Sequence, residues 1–268
     1  MIMESAVWLR AIALALAASS VIGQARADEL TLAVHPVLSE QETRRIYQPL
    51  ADYLTRSTGH RVKIATTSNF LVHWQLTRRN SYQLILEGPH MVDYRLSKMG
   101  YQVVARMPDI ISYTLVAHED QLAMEPADLV GKPIASMPAP SLGAVCLNQF
   151  FPNPLRQPIL VEVDHLDAAV ERVLAGKSAG AIIPSAMVGR FSGLTTVAAT
   201  EQAPAPGISA APEVSPQVRE AIAKALLAAH ENPEGRAALE VLKIPRFEAA
   251  LPRHFAGQAR LLEDMWGY

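Results

Sequence analysis

The chain has 268 residues, half of them apolar, with 24 basic against 26 acidic side chains and a formal net charge of −2. That length gives one large domain or two small ones with ample material for a core. The near-neutral balance, with no cluster of Lys and Arg, argues against a nucleic-acid partner or an anionic membrane surface.

The first 27 residues read as a secretory signal. Met1 to Arg10 is a short lead-in, Ala11 to Gly23 is an almost uninterrupted apolar run, and Ala25-Arg26-Ala27 ends it as an A-x-A cleavage site. The run is shorter than the roughly 20 residues a bilayer span needs, and no second long apolar segment follows. Removal after Ala27 gives an exported chain with no membrane insertion. No cysteine follows the cleavage site, which argues against a lipid anchor.

Beyond the signal, short β-rich runs alternate with helical stretches, the mark of an α/β protein. Leu30 to Val34 is the first strand. Ser39 and Glu42 form a capping box that opens a helix along which Ile46, Leu50 and Leu54 recur every four residues, until Gly59 closes it. Pro49 predicts a kink or a restart in that helix. Val62 to Thr66 is the second strand, Phe70 to Arg79 a helix and Tyr82 to Leu86 the third strand. Gly88-Pro89-His90 breaks the chain directly after it, and a helix follows to about Lys98.

Tyr101 to Arg106 and Tyr113 to Ala117 are further strands. A short helix at Glu125 to Leu129 precedes the strand Pro133 to Ala135. Pro138 to Gly143 is a loop that feeds a helix through Cys146 to about Phe150. Ile159 to Val163 is a strand, Asp167 to Leu174 a helix and Ala181 to Ile183 a strand. Thr200 to Ser209, rich in Ala and Pro, reads as a linker. Ser215-Pro216 and Asn232-Pro233 start the last helices, which run to Trp266.

Enzyme signatures fail when tested. Gly176-Lys177-Ser178 resembles the end of a phosphate-binding loop, but Glu171 stands where the first Gly should be and the segment follows a helix, so it reads as a turn. There is no G-x-S-x-G elbow and no H-E-x-x-H helix. The eight His residues are scattered without metal-ligand spacing. No catalytic residue, metal or cofactor is assigned, and an enzyme is disfavoured. Cys146, the single cysteine, can form no internal disulfide, which leaves two readings: a buried small apolar residue, or a thiol kept for a ligand.

Four segments carry a resemblance that covers nearly the whole exported chain. They are Tyr47-Gln48-Pro49-Leu50-Ala51-Asp52-Tyr53-Leu54 with Thr58-Gly59, Tyr82 to Pro89, Asp128 to Ala135, and Asn232-Pro233-Glu234-Gly235 to Leu242. Together they resemble the periplasmic phosphonate, phosphite and phosphate-binding proteins of ABC importers, a branch of the type 2 periplasmic binding proteins. The resemblance implies a two-lobed α/β fold with residues 28–112 and 203–268 in one lobe and 113–202 in the other. Two crossovers would join the lobes, and the ligand would sit in the cleft between them. Helix N-termini off the carboxyl ends of strands suit an anion there. The turns at Gly88 and Ser141 are the candidates, with the chain around His35 as a third.

Carried over by position, Phe70 falls where the family has a cleft aromatic, and equally reads as a core residue. Gly88, Pro89 and His90 fall in the first-lobe anion turn. Pro140-Ser141-Leu142-Gly143 falls on the family's hydroxyl-rich loop, and His165 falls near a ligand-contacting histidine or else caps a helix. The loop departs from the pattern, because only Ser141 keeps a hydroxyl and Pro140 has no N–H. Acidic partners for an amino group are not evident at Ile182 to Ser185.

A phosphonate therefore looks poorly served. Cys146 in the first turn of a helix would be a thiolate of lowered pKa suited to a thiophilic ligand, which resembles an arsenite-binding relative that signals to a sensor kinase. The expectation is a monomeric periplasmic binder of a small oxyanion or oxyacid serving an ABC permease, with sensing of arsenite for a histidine kinase as the alternative. A secreted hydrolase using Cys146 and His165 is the least favoured reading.

Overall fold

Two five-stranded sheets, each wrapped by helices, make up the computed structural model, which describes residues 29–263. The expected signal lies outside the described residues. Among those described, the last α-helix ends at Leu242 and not near Trp266 as predicted, with only short 3-10 turns at Pro252–His254 and Gln258–Leu262 after it.

The first sheet begins with β1 (Leu30–Val34), β2 (Val62–Ala65) and β3 (Leu84–Glu87), all parallel. Between β1 and β2 runs α1 (Glu40–Thr58), opened by Ser39, whose Oγ accepts from Glu42 N at 3.2 Å, and closed by Gly59 at φ 74°. Only glycine takes that left-handed cap without strain. The expected break at Pro49 does not occur, and the helix is continuous. Tyr47, Leu50, Ala51, Tyr53 and Leu54 on its inner face are all buried. That packing outweighs the one backbone bond a proline removes.

Next come α2 (Phe70–Arg78), α3 (Pro89–Lys98) and β4 (Gln102–Arg106). A two-residue strand β5 (Ile110–Ile111) leads out of the first sheet, and β6 (Tyr113–His118) opens the second. β7 (Pro133–Ser136), α4 (Leu142–Phe150), β8 (Ile159–Glu162), α5 (Leu166–Leu174), β9 (Gly180–Pro184), the short α6 (Ser185–Val188) and β10 (Leu194–Ala199) complete it, in the order β10-β6-β9-β7-β8. β7 is parallel to both β8 and β9, while β6 runs antiparallel to β9 and β10. The chain then returns through β11 (Ala203–Pro204), which pairs antiparallel with β5. The two crossovers between the lobes are thereby tied to each other.

The segment read as a linker is corrected here. Within it starts β12 (Gly207–Ala210), which lies between β3 and β4 in the order β2-β1-β3-β12-β4 and is buried throughout. Its register sets Gly207 opposite Glu87 and Ala210 opposite Leu84. A short run of small residues flanked by prolines looks like a linker, yet its smallness is what the site demands. A Cβ added at Gly207 would stand 2.7 Å from Phe255. The chain closes with α7 (Pro216–Ala228) and α8 (Pro233–Leu242), both begun by side-chain caps, from Ser215 and Asn232.

The first lobe has one apolar core, built on α1, α7 and the sheet. The other apolar clusters cross between lobes. Trp74 and Met91 from the first lobe pack with Tyr113, Leu142, Cys146 and Leu147 from the second, and Phe70 packs with Met137, Val163 and Leu166. Among the described residues no helix is long and apolar enough to cross a membrane.

Candidate ligand cleft

A cleft of about 680 Å³ opens between the lobes. One wall is the start of α2, with Asn69, Leu71 and Trp74; the loop Met137 to Pro140 and the α4 residues Ala144 and Asn148 form a second. The end of β8 and the chain after it supply Leu160, Glu162, Val163 and Asp164. Each wall ends at a helix start or a strand end, where backbone groups turn toward the opening. Asn69 Oδ1 caps α2 by accepting from Val72 N at 2.9 Å. Ser141 Oγ caps α4, accepting from Ala144 N at 3.3 Å and donating to Met137 O at 3.2 Å. Its one proton is thus committed inside the loop.

None of the nine residues singled out from the sequence forms a wall of this cleft, though residues flanking Phe70, the Ser141 to Gly143 turn and His165 do. Asn69 and Leu71 flank Phe70, Pro140 and Ala144 flank the Ser141 to Gly143 turn, and Asp164 precedes His165. Phe70 itself is buried, in edge contact with His35 and His73. Gly143 lies against the Tyr113 ring, where an added Cβ would come within 3.1 Å. His165 caps α5 through Nδ1, which accepts from Ala168 N at 3.2 Å.

Gly88, Pro89 and His90 meet the second-lobe turn directly. His90 Nε2 donates to the Pro140 carbonyl at 2.8 Å, and a Cβ on Gly88 would touch both the His90 ring, at 3.0 Å, and Leu142 Cβ, at 4.0 Å. The space between the starts of α3 and α4 is therefore filled by an imidazole and a leucine. Burial lowers the His90 pKa to about 4, despite its bond to Pro140. With Nε2 donating, Nδ1 is left buried without a partner.

Cys146 reverses one expectation. It is buried with Tyr113, Leu115 and Leu147, and burial pushes its thiol up to about 11. A helix dipole acts on a group only near the terminus, whereas desolvation acts wherever water is absent, and here desolvation governs.

A buried polar network behind the cleft was not foreseen. Arg95 on α3 grips Glu87 with a fork, Nε to Oε2 at 3.1 Å and Nη2 to Oε1 at 3.0 Å. His73 Nε2 reaches Glu87 Oε1 at 3.0 Å, and Arg95 also donates to Thr77. Both side chains of the ion pair are fully buried. Burial alone would raise the Glu87 pKa, but Arg95 and His73 outweigh it and hold it well below the usual carboxylate range. The Arg95 guanidinium lies 5.0 Å from the Trp74 ring centroid, so the network braces the cleft wall that Trp74 forms. Its trace in the sequence is Glu87 ending the apolar run Leu84-Ile85-Leu86, with Arg95 two helical turns further on.

Among the described residues no group of His, Cys, Asp and Glu could hold a metal ion. Residues 32–255 match the family profile described as "ABC transporter, phosphonate, periplasmic substrate-binding protein". No curated protein matches the sequence. Among solved structures, the binding-protein component of a phosphonate ABC transporter from Pseudomonas aeruginosa is similar at TM-score 0.77 and 12% identity, over 88% of this chain and 85% of that one. PhnD1 from Prochlorococcus marinus, in complex with methylphosphonate, gives TM-score 0.77 and 12% identity over 88% of this chain and 98% of that one. A Xanthomonas citri protein bound to ATP gives TM-score 0.71 and 14% identity over 87% and 98%. At these identities the likeness establishes a shared two-lobed fold.

Proposed function

The chain belongs to the periplasmic phosphonate substrate-binding family of ABC transporters, a family of binding components and not of enzymes, and from that premise we propose that it captures a small oxyacid or oxyanion in the interlobe cleft and delivers it to a permease. The observation that carries this reading is the placing of two helix starts, those of α2 and α4, on facing walls of one 680 Å³ cleft. The first turn of a helix leaves N–H groups without intrahelical acceptors and carries the positive end of the helix dipole, so an acceptor oxygen is favoured there. In this reading the first turns of α2 and α4 favour the ligand's acceptor oxygens through their dipoles, and Leu142 and Gly143, which form no wall of the cleft, pack the α4 turn that presents Pro140 and Ala144. Phe70, Ser141 and His165 hold the walls in place, and Gly88, Pro89 and His90 hold the lobes together. Residues 1–27 act as the export signal and the exported chain works as a monomer.

The sensory alternative, arsenite held by Cys146 and reported to a histidine kinase, gains no support from a buried thiol of raised pKa. Calorimetric titration with phosphate, phosphite, methylphosphonate and arsenite tests the proposal, repeated on Asn148→Trp, which fills the cleft from an exposed position. Binding of an oxyacid that the tryptophan abolishes is the expected result. Binding indifferent to Asn148→Trp overturns the cleft as the site, and arsenite binding lost in Cys146→Ser restores the sensory reading.

A further inference from the structure

The walls of the cleft carry two carboxylates, Glu162 and Asp164, and no Lys, Arg or His. The remaining surface is mostly apolar, with Leu71, Trp74, Met137 and Leu160 among its larger side chains. Both carboxylates lie at and just beyond the end of β8, in the same cleft as the start of α2. This is an unfavourable place for a compact dianion. With no cation among the lining residues to offset the two side-chain charges, a phosphonate would meet like charge in the cleft. Its three oxygens would also find few donors, because the Ser141 proton goes to Met137 O and Pro140 has no N–H.

Size points the same way. A volume of 680 Å³ falls within the usual range for organic ligands, roughly 300–1,000 Å³, and leaves apolar wall that a simple oxyanion would not touch.

We propose that the ligand is a zwitterionic amine-bearing carboxylate with an apolar body: its carboxylate at the helix starts, its ammonium at Glu162 and Asp164, its apolar part along Leu71, Trp74 and Leu160. The cleft combines helix N-termini, which favour an anion, with two carboxylates, which favour a cation, and so suits a molecule with one charge of each sign and net charge near zero. The inference rests on the interlobe cleft being the ligand site, and it narrows the oxyacid to one class. Asn69 and Asn148 offer amide groups that either end of such a ligand can use.

The test is titration of the exported chain with L-alanine, L-leucine and L-arginine, N-acetyl-L-leucine, and methylphosphonate. It is run on the wild type, on Glu162→Gln with Asp164→Asn, and on Asn148→Trp. At least one free amino acid binds, N-acetylation weakens that binding about tenfold or more, and the double variant loses a similar factor toward the free amine but not toward the acetylated form. Methylphosphonate binding more tightly than every amine overturns the proposal, as does an unaltered affinity in the double variant or no binding of any amine. Where methylphosphonate is the tightest ligand, its loss in Asn148→Trp shows the cleft to be right and the class wrong. Amino-acid binding that survives Asn148→Trp shows that the cleft itself was misassigned. The altered carboxylates are solvent-exposed, so the double variant keeps its fold, checked by its thermal midpoint.

Discussion

His90 and Pro140, fifty residues apart and in different lobes, are joined by one hydrogen bond of 2.8 Å from imidazole Nε2 to a backbone carbonyl. It ties the first lobe to the cleft wall that Pro140 helps form. Substituting His90→Phe keeps the ring and removes the donor, leaving the Pro140 carbonyl buried and unpaired. The expected cost is about 1–3 kcal/mol, together with faster amide exchange in the Ala144 to Leu147 turn and a larger radius of gyration in small-angle scattering. An unchanged radius and exchange pattern would show that the apolar interlobe contacts alone hold the lobes.

The same residue sets an acid limit. In the unfolded chain His90 takes its proton near pH 6.5, while in the fold burial delays this to about pH 4. Above pH 6.5 both states are neutral there and the group contributes no pH dependence. Between about 6.5 and 4 the unfolded state binds a proton the folded state refuses, so stability falls as pH drops, by roughly 1.4 kcal/mol per unit and about 3 kcal/mol in all. Glu87, held below the carboxylate range, adds a loss in the same direction once pH falls beneath its unfolded value of 4.5. Urea midpoints measured from pH 7.5 to 4 should show the slope, and His90→Phe should roughly halve it between 6.5 and 4.5, because burial lowers the His35 pKa to about 3 and that residue contributes in the same direction.

Glu87→Gln leaves the Arg95 charge buried without its counterion. A cost of about 3–5 kcal/mol is expected from denaturant curves. Replacing both members, as Glu87→Leu with Arg95→Met, should recover much of it, since apolar residues need no compensation. A double variant as unstable as the single one would mean that the bonds to His73 and Thr77, not the ion pair, carry the wall.

Cys146 should resist thiol reagents in the native protein and react on unfolding. Cys146→Ser places a hydroxyl among Tyr113, Leu115 and Leu147. It is expected to cost about 1–3 kcal/mol, without changing ligand affinity. Rapid native labelling would contradict the burial described.

Gly207→Ala sets a methyl 2.7 Å from Phe255 and should cost about 1–3 kcal/mol by overpacking. Phe255→Leu in the same chain should return part of that. The readout is the thermal midpoint of each variant.

The alternation of short β runs and capped helices made most of the fold legible. Ser39, Ser141, Ser215 and Asn232 each cap the helix that their sequence position announces, because capping is local. What stayed hidden depends on partners distant along the chain. β12 is four residues, three of them small, whose strand character comes only from β3 and β4 on either side. Pro49 looked disruptive because the tertiary contacts of Tyr47, Leu50 and Leu54 are invisible in a local window. At the cleft, the residues named at Phe70, the Ser141 turn and His165 adjoin the lining without forming it, because the exposed side of each turn belongs to the neighbouring residue. Phe70 faces the core while Asn69 and Leu71 face the opening. Glu162 and Asp164 carry no motif and become notable only when Ser136 and Asn69 are brought beside them.

The placing of β12 also governs the order in which this protein can come into being. The first lobe begins with Leu30 yet lacks the strand between β3 and β4 until Gly207 to Ala210 has arrived. Most of the chain must therefore emerge from the ribosome before that sheet can seal. Such late-closing contacts slow folding, and until they form the N-terminal half has no complete sheet to collapse upon.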